Sequence, residues 1–173
     1  GNIVRSNQEN DSNFMGITYW VDVTDYEDIR MEYLYTRPIV ALIVLDNYEE
    51  LLKNVPDRVK TELRGNVDAL VEQWCSGKEA FVRRYDRDRY VFIFEERYLQ
   101  EMIDTKFQLL DLVHKIVSPT GIHATVSIGI GKDGKSYEED FSFASLAIEM
   151  ALSRGGDQAV IKNRFNCEFF GGR

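Results

Sequence analysis

The stretch "PIVALIVLD", residues 38 to 46, constrains this chain more than any other. An unbroken aliphatic, partly β-branched run with no polar residue on either alternate set must be buried on both faces, which puts it in the middle of a sheet. The rest of the chain must then supply flanking strands and covering helices. Tyr48 to Val55 reads as a short helix broken by Pro56-Asp57. Val59, Leu63, Val67, Leu70, Val71 and Trp74 keep helical spacing up to a Cys75-Ser76-Gly77 stop. A hairpin over residues 79 to 95 follows. Leu99, Met102, Ile103, Phe107, Leu110, Val113 and Ile116 then predict one amphipathic helix ending near Pro119. "HATVSIGIG" reads as a strand, "FSFASLAIEMALSRGG" as an apolar helix with a glycine stop, and "QAVIKNRF" as the closing strand, extended by "CEFFGG". The order β-α-α-β-β-α-β-α-β describes an α+β fold, a central antiparallel sheet with helices packed on it.

Upstream of that body the pattern changes. Residues 1 to 13 include the polar "RSNQENDSN", and "FMGITYWVDV" alternates enough to be a strand. Thr24 and Glu27 stand at capping-box spacing, so a helix is predicted to begin there, run through Tyr26, Ile29, Tyr33 and Leu34, and stop before Arg37-Pro38. The chain opens on Gly1 in mid-pattern, which reads as a piece of a longer protein.

The net charge of -8 argues against broad phosphate-backbone binding, so nucleic acid is not an expected partner. No run of about 18 apolar residues exists, and a soluble piece is expected. Cys75 and Cys167 lack any CxxC spacing and read as reduced thiols rather than a zinc or disulfide framework. His114 and His123 offer no ligand pattern.

The hairpin raises a sharper question. "RRYDRDRYVFIFEE", residues 83 to 96, turns on Asp86-Arg87-Asp88, where a tight turn usually wants glycine. With "TVSIGIG" on a later strand, it resembles the GGDEF domain, the ferredoxin-like cyclase palm that makes cyclic di-GMP. The resemblance covers roughly residues 38 to 163. Arg84-Tyr85 is kept, and the five motif positions fall on Asp86, Arg87, Asp88, Arg89 and Tyr90, of which only Asp88 matches. The family's Asp-x-Asp falls on Val44-Leu45-Asp46, its phosphate-binding lysine on Leu152, its arginine on Gly156, and its guanine-reading asparagine near Leu52. What the resemblance implies is a degenerate module without diguanylate cyclase activity or guanine selectivity.

A narrower resemblance accommodates these departures. "WVDVTDYEDIR", "RPIVALIVLDNYEEL", "RRYDRDRYVFIF" and "SRGGDQAVI" are similar to the GdpP or YybT family of membrane-anchored cyclic di-AMP phosphodiesterases. That family implies residues 1–23 as the end of a PAS-like sensor, 24–37 as a connector helix and 38–173 as the degenerate GGDEF domain. It further implies an upstream PAS and membrane region, a downstream DHH/DHHA1 hydrolase domain and a cytoplasmic-facing position at the cell membrane; a second copy of the chain, as a homodimer, is a separate candidate partner, meeting the seam of the connector helix.

The expected site lies between Asp46-Asn47-Tyr48 and Asp86-Arg87-Asp88. Asp46 and Asp88 are the candidate ligands for Mg2+ carried with ATP. Asp46 equally reads as a cap for the following helix. Asn47, Tyr48, Asp86, Arg87 and Arg154 are the candidate nucleotide contacts, while the arginines equally read as a solvated edge that discourages strand pairing. Two function classes follow: a regulatory relay with a vestigial nucleotide pocket, or an enzyme in its own right, a weak nucleoside triphosphatase or, less readily, a cyclase.

Overall fold

The computed structural model describes residues 24–172. The strand expected over residues 14–23 lies outside them. The chain divides into two units, Gly1–Thr36 and Arg37–Arg173. In the first, helix α1 spans Thr24–Thr36, with Asp25 and Glu27 in the first turn where the helix dipole favours acids. None of its residues is buried, and Tyr26, Ile29 and Tyr33 are all exposed.

The second unit runs β1 (Pro38–Leu45), α2 (Tyr48–Leu52), α3 (Asp57–Cys75), β2 (Phe81–Asp86), β3 (Arg89–Glu95), a 3-10 turn (Glu96–Tyr98), α4 (Leu99–Asp104), α5 (Leu109–His114), β4 (Val126–Gly131), α6 (Tyr137–Ser153), β5 (Gln158–Lys162) and β6 (Cys167–Gly171). The strands form one sheet in the order β2-β3-β1-β4-β5-β6. β1 lies inside it, antiparallel to β3 on one side and to β4 on the other.

The continuous apolar run of β1 has the two covers it needs. Ile39, Ala41, Ile43 and Leu45 face a core shared with Leu63, Val67 and Val71 of α3, the stacked Phe92 and Phe94 of β3, and α4 and α5. Val40, Leu42 and Val44 face Ala144 and Ile148 of α6. The helix α6 sits close because β4 presents glycines to it. A Cβ on Gly129 would come within 2.5 Å of the Ala144 carbonyl oxygen, and one on Gly131 would overlap that of Asp140.

Three expectations are corrected. The single helix over Leu99–Ile116 is two helices, because Lys106 and Phe107 take φ of 50° and 53°. That break drops the fully buried Phe107 ring to 5.3 Å from Phe170 and 6.5 Å from Trp74. The sheet is mixed, since the α6 crossover makes β4 and β5 parallel. "CEFFGG" does not extend β5. Asn163 Oδ1 accepts from the amides of Phe165 and Asn166, closing a turn that returns β6 antiparallel to β5.

Candidate functional site

The hairpin closes without glycine because Asp86, Arg87 and Asp88 all avoid positive φ. A register shift between Arg84 and Asp86 places one extra residue, Tyr85, in β2, and the twist a bulge adds accommodates the turn. Asp86 Oδ1 accepts from the Arg87 amide at 2.7 Å. The hairpin is fastened to α3 by Asp68, which accepts from Arg84 Nη1 at 3.1 Å and from the Tyr90 hydroxyl. Burial, followed by that bond to Asp68, pushes the Tyr90 phenol upward.

Arg87 reaches across to α2. Its Nη2 lies 2.7 Å from Glu49 Oε1, and its guanidinium carbon lies 5.2 Å from the centre of the Tyr48 ring. Two depressions flank this crossing. The larger, about 500 Å³, is lined by Tyr48, Leu52, Asn54, Lys60 and Arg64 among others. The smaller, about 300 Å³, is lined by Arg64, Arg84, Tyr85, Asp86 and Arg87. Tyr48 and Arg87 therefore come together, and Arg64, bonded to the Tyr48 hydroxyl, lines both depressions.

The other candidates go elsewhere. Asp46 caps no helix. Its Oδ2 accepts from the Asp157 amide at 2.9 Å, and Gly156, at φ 75°, leaves no room for a Cβ beside that carboxylate. Burial holds the Asp46 carboxyl above the usual carboxylate range against the opposing pull of the Asp157 amide. Asn47 clamps the approach to β4: its Nδ2 donates to the His123 carbonyl at 2.7 Å, and its Oδ1 accepts from the Thr125 amide at 3.2 Å. Arg154 Nε donates to Gln158, and its guanidinium stacks 4.4 Å from the Phe169 ring on β6, at the far edge of the sheet from the hairpin.

Asp88 stands beside β1 through its carbonyl, which accepts from the Leu45 amide at 2.8 Å, and its carboxylate faces Arg89 at 3.9 Å. Asp46 takes its Asp157 partner on the β4 side of β1, while the Asp88 carboxylate faces Arg89 on the β3 side. Among the described residues no three His, Cys, Asp or Glu side chains gather as a metal site. The described side chains alone form no dedicated magnesium cage.

Glu49, Arg64 and Asp68 were missed in the sequence. One signal for two of them was present: Lys60, Arg64 and Asp68 recur every four residues, on one face of α3.

A family model described as cyclic-di-AMP phosphodiesterase GdpP-like, GGDEF domain, matches residues 43–169. The chain is 32% identical over 158 residues to cyclic-di-AMP phosphodiesterase GdpP of Geobacillus thermodenitrificans, covering 91% of this chain and 24% of that protein. The same figures hold for cyclic-di-AMP phosphodiesterase PdeA of Listeria monocytogenes. The chain thus spans about a quarter of the length of these relatives. Among solved structures, the FimX GGDEF domain from Pseudomonas aeruginosa superposes with TM-score 0.60 at 20% identity, covering 80% of this chain and 90% of that one. The GGDEF domain of DgcB from Caulobacter crescentus, in complex with c-di-GMP, gives 0.63 at 16%, covering 79% and 83%. These likenesses show the fold, and the family match goes further: the chain belongs to the GdpP-like GGDEF domain family.

Proposed function

We propose that this chain is the regulatory module of a larger cyclic di-AMP phosphodiesterase, degenerate as a cyclase, and that the groove between α2, α3 and the hairpin binds ATP at least as well as GTP, weakly and with slow hydrolysis. The observation that carries the first half is the end of β1. Val44, where the cyclase pattern has an acid, is buried against α6, and Asp46 is turned into the α6–β5 corner by the Asp157 amide. Phosphoryl transfer needs positioned charge at the reacting oxygens, and of that pair one acid is replaced by Val44 and the other, Asp46, is engaged by the Asp157 amide. Leu52, at the base-reading position, is 8% exposed and belongs to the core, so it presents no amide to guanine. Magnesium enters this reading as the nucleotide's own counter-ion.

The parent protein, on the same reading, carries a PAS sensor and membrane region upstream and a DHH/DHHA1 hydrolase downstream, with this module on the cytoplasmic face and α1 as the coupling between them. Relatives named as cyclic-di-AMP phosphodiesterases, four times longer than the stretch they share with this chain, support it. Incubation of the purified chain with GTP and magnesium is expected to yield no cyclic di-GMP, and calorimetric titration with ATP is expected to give a weak saturable isotherm. Cyclic di-GMP above a mock preparation would sink the first half. A flat ATP titration would favour the rival reading, a purely structural relay, which the Arg87–Glu49 and Arg84–Asp68 pairings also suit.

A further inference from the structure

The two depressions beside the hairpin share one residue, Arg64. Its guanidinium is half-buried, donates to the Tyr48 hydroxyl at 3.2 Å, and has no carboxylate partner among the described residues. Arg84 and Arg87 line the smaller depression with it. Each of those two meets a carboxylate, Asp68 and Glu49, yet both pairs are substantially exposed to solvent and so hold weakly. A guanidinium offers five N–H donors in a planar fork, and one carboxylate leaves several of them free. The remaining acid lining that depression, Asp86, is already turned back onto the Arg87 amide. In a chain of net charge -8, three arginines converging on one depression run against the overall field.

We propose that Arg64, Arg84 and Arg87 form a polyphosphate site, which takes the phosphates of a purine nucleoside triphosphate without any metal held by the chain and seats the nucleoside in the larger depression beside the Tyr48 ring. This rests on the reading of the groove as a nucleotide site and moves the phosphates away from Asp46 and Asp88. Glu49 is the built-in competitor. It holds Arg87 across the boundary between the two depressions, and an incoming phosphate must displace it.

The test is calorimetric titration with ATP and, separately, inorganic tripolyphosphate, each in excess EDTA and then in magnesium. Both ligands are expected to bind in EDTA, ATP the tighter. Losing the bidentate Arg64 contact in Arg64→Gln weakens both by about tenfold or more, whereas Glu49→Gln, which frees Arg87, tightens both by about threefold. Asp88→Asn and the control Arg83→Gln, a residue lining neither depression, leave both within about twofold, the scatter expected of exposed charges outside a site. Should Arg64→Gln melt early, Arg87→Gln on the exposed turn asks the same question. ATP binding that requires magnesium, disappears in Asp88→Asn and ignores Arg64→Gln overturns the arginine site while leaving the nucleotide reading intact. Tripolyphosphate binding through Arg64 with ATP no tighter supports the arginine site and overturns the nucleotide reading. No binding of either ligand overturns both.

Discussion

Asp46 shows how far a residue's role departs from what its neighbours in sequence suggest. Beside an apolar strand and before a helix it reads as a cap or a metal ligand, but its partner is the amide of Asp157, 111 positions away. Nothing local encodes that contact, which exists only because β4 and β5 lie on one side of β1. Asn47 repeats the lesson with His123 and Thr125. Because burial raises the folded Asp46 carboxyl above its unfolded value, its contribution is fully present below the unfolded value and lost as pH rises through the folded one. Asp46→Asn, which keeps an acceptor for Asp157 without the charge, is therefore expected to gain stability relative to the parent as pH climbs from about 3 to about 7. Urea unfolding at several pH values checks it, and a pH-independent difference would deny the burial effect. The thiols offer a second residue-scale prediction. Burial pushes the Cys75 thiol up to about 12, while Cys167 is partly accessible. A thiol reagent at neutral pH should label Cys167 in the native protein and reach Cys75 only in denaturant.

Elements were legible in the sequence where periodicity reports burial. The strands β1, β3 and β4 and the helices α3 and α6 follow from their apolar spacing, since those patterns are the faces they bury. The break between α4 and α5 was not, because Leu99 to Ile116 keeps helical spacing straight through it. What interrupts the helix is a destination: Phe107 has to enter the gap between Trp74 and Phe170, and two residues in the left-handed region put it there. Phe107→Ala should accordingly destabilise the unit by about 3–5 kcal/mol, the range for emptying a buried aromatic site. Chemical denaturation measures it, and a loss below about 1 kcal/mol, nearer a surface substitution, would mean the gap collapses freely. The hairpin itself was legible, but the way its turn closes was not, for a related reason. Its glycine-free closure depends on the bulge at Tyr85, and a bulge has no composition of its own.

At the scale of the whole molecule, α1 and the sheet unit are joined in sequence at Arg37. The Arg37 guanidinium meets Glu96 and Asp133, and Lys132 meets Glu96 at 2.9 Å, so the point of entry to β1 is tied to the end of β3 and the loop after β4. Burial opposes the Arg37 charge, but the two carboxylates overcome it and leave the guanidinium above its ordinary value. If α1 couples a sensor to this unit, one residue inserted after Arg30 rotates everything upstream by about 100°. That insertion should change phosphodiesterase regulation in the full-length protein without altering the unit's melting temperature, and unchanged regulation would make α1 a passive tether. The central place of β1 also has a consequence in time. Made early, it gains β3 along one edge only after Val44 meets Arg89, and its other edge waits for Val126, about 80 residues beyond Leu45. At roughly 5–20 residues per second that wait is roughly 4–16 s on the ribosome. During it, an apolar strand with an open edge is available to other nascent chains. A released fragment ending at residue 120 is expected to sediment, and Leu42→Lys, a charge placed within that strand, to keep it in the supernatant. The strand that organises the finished fold thus also stands with an open edge while the fold is being made.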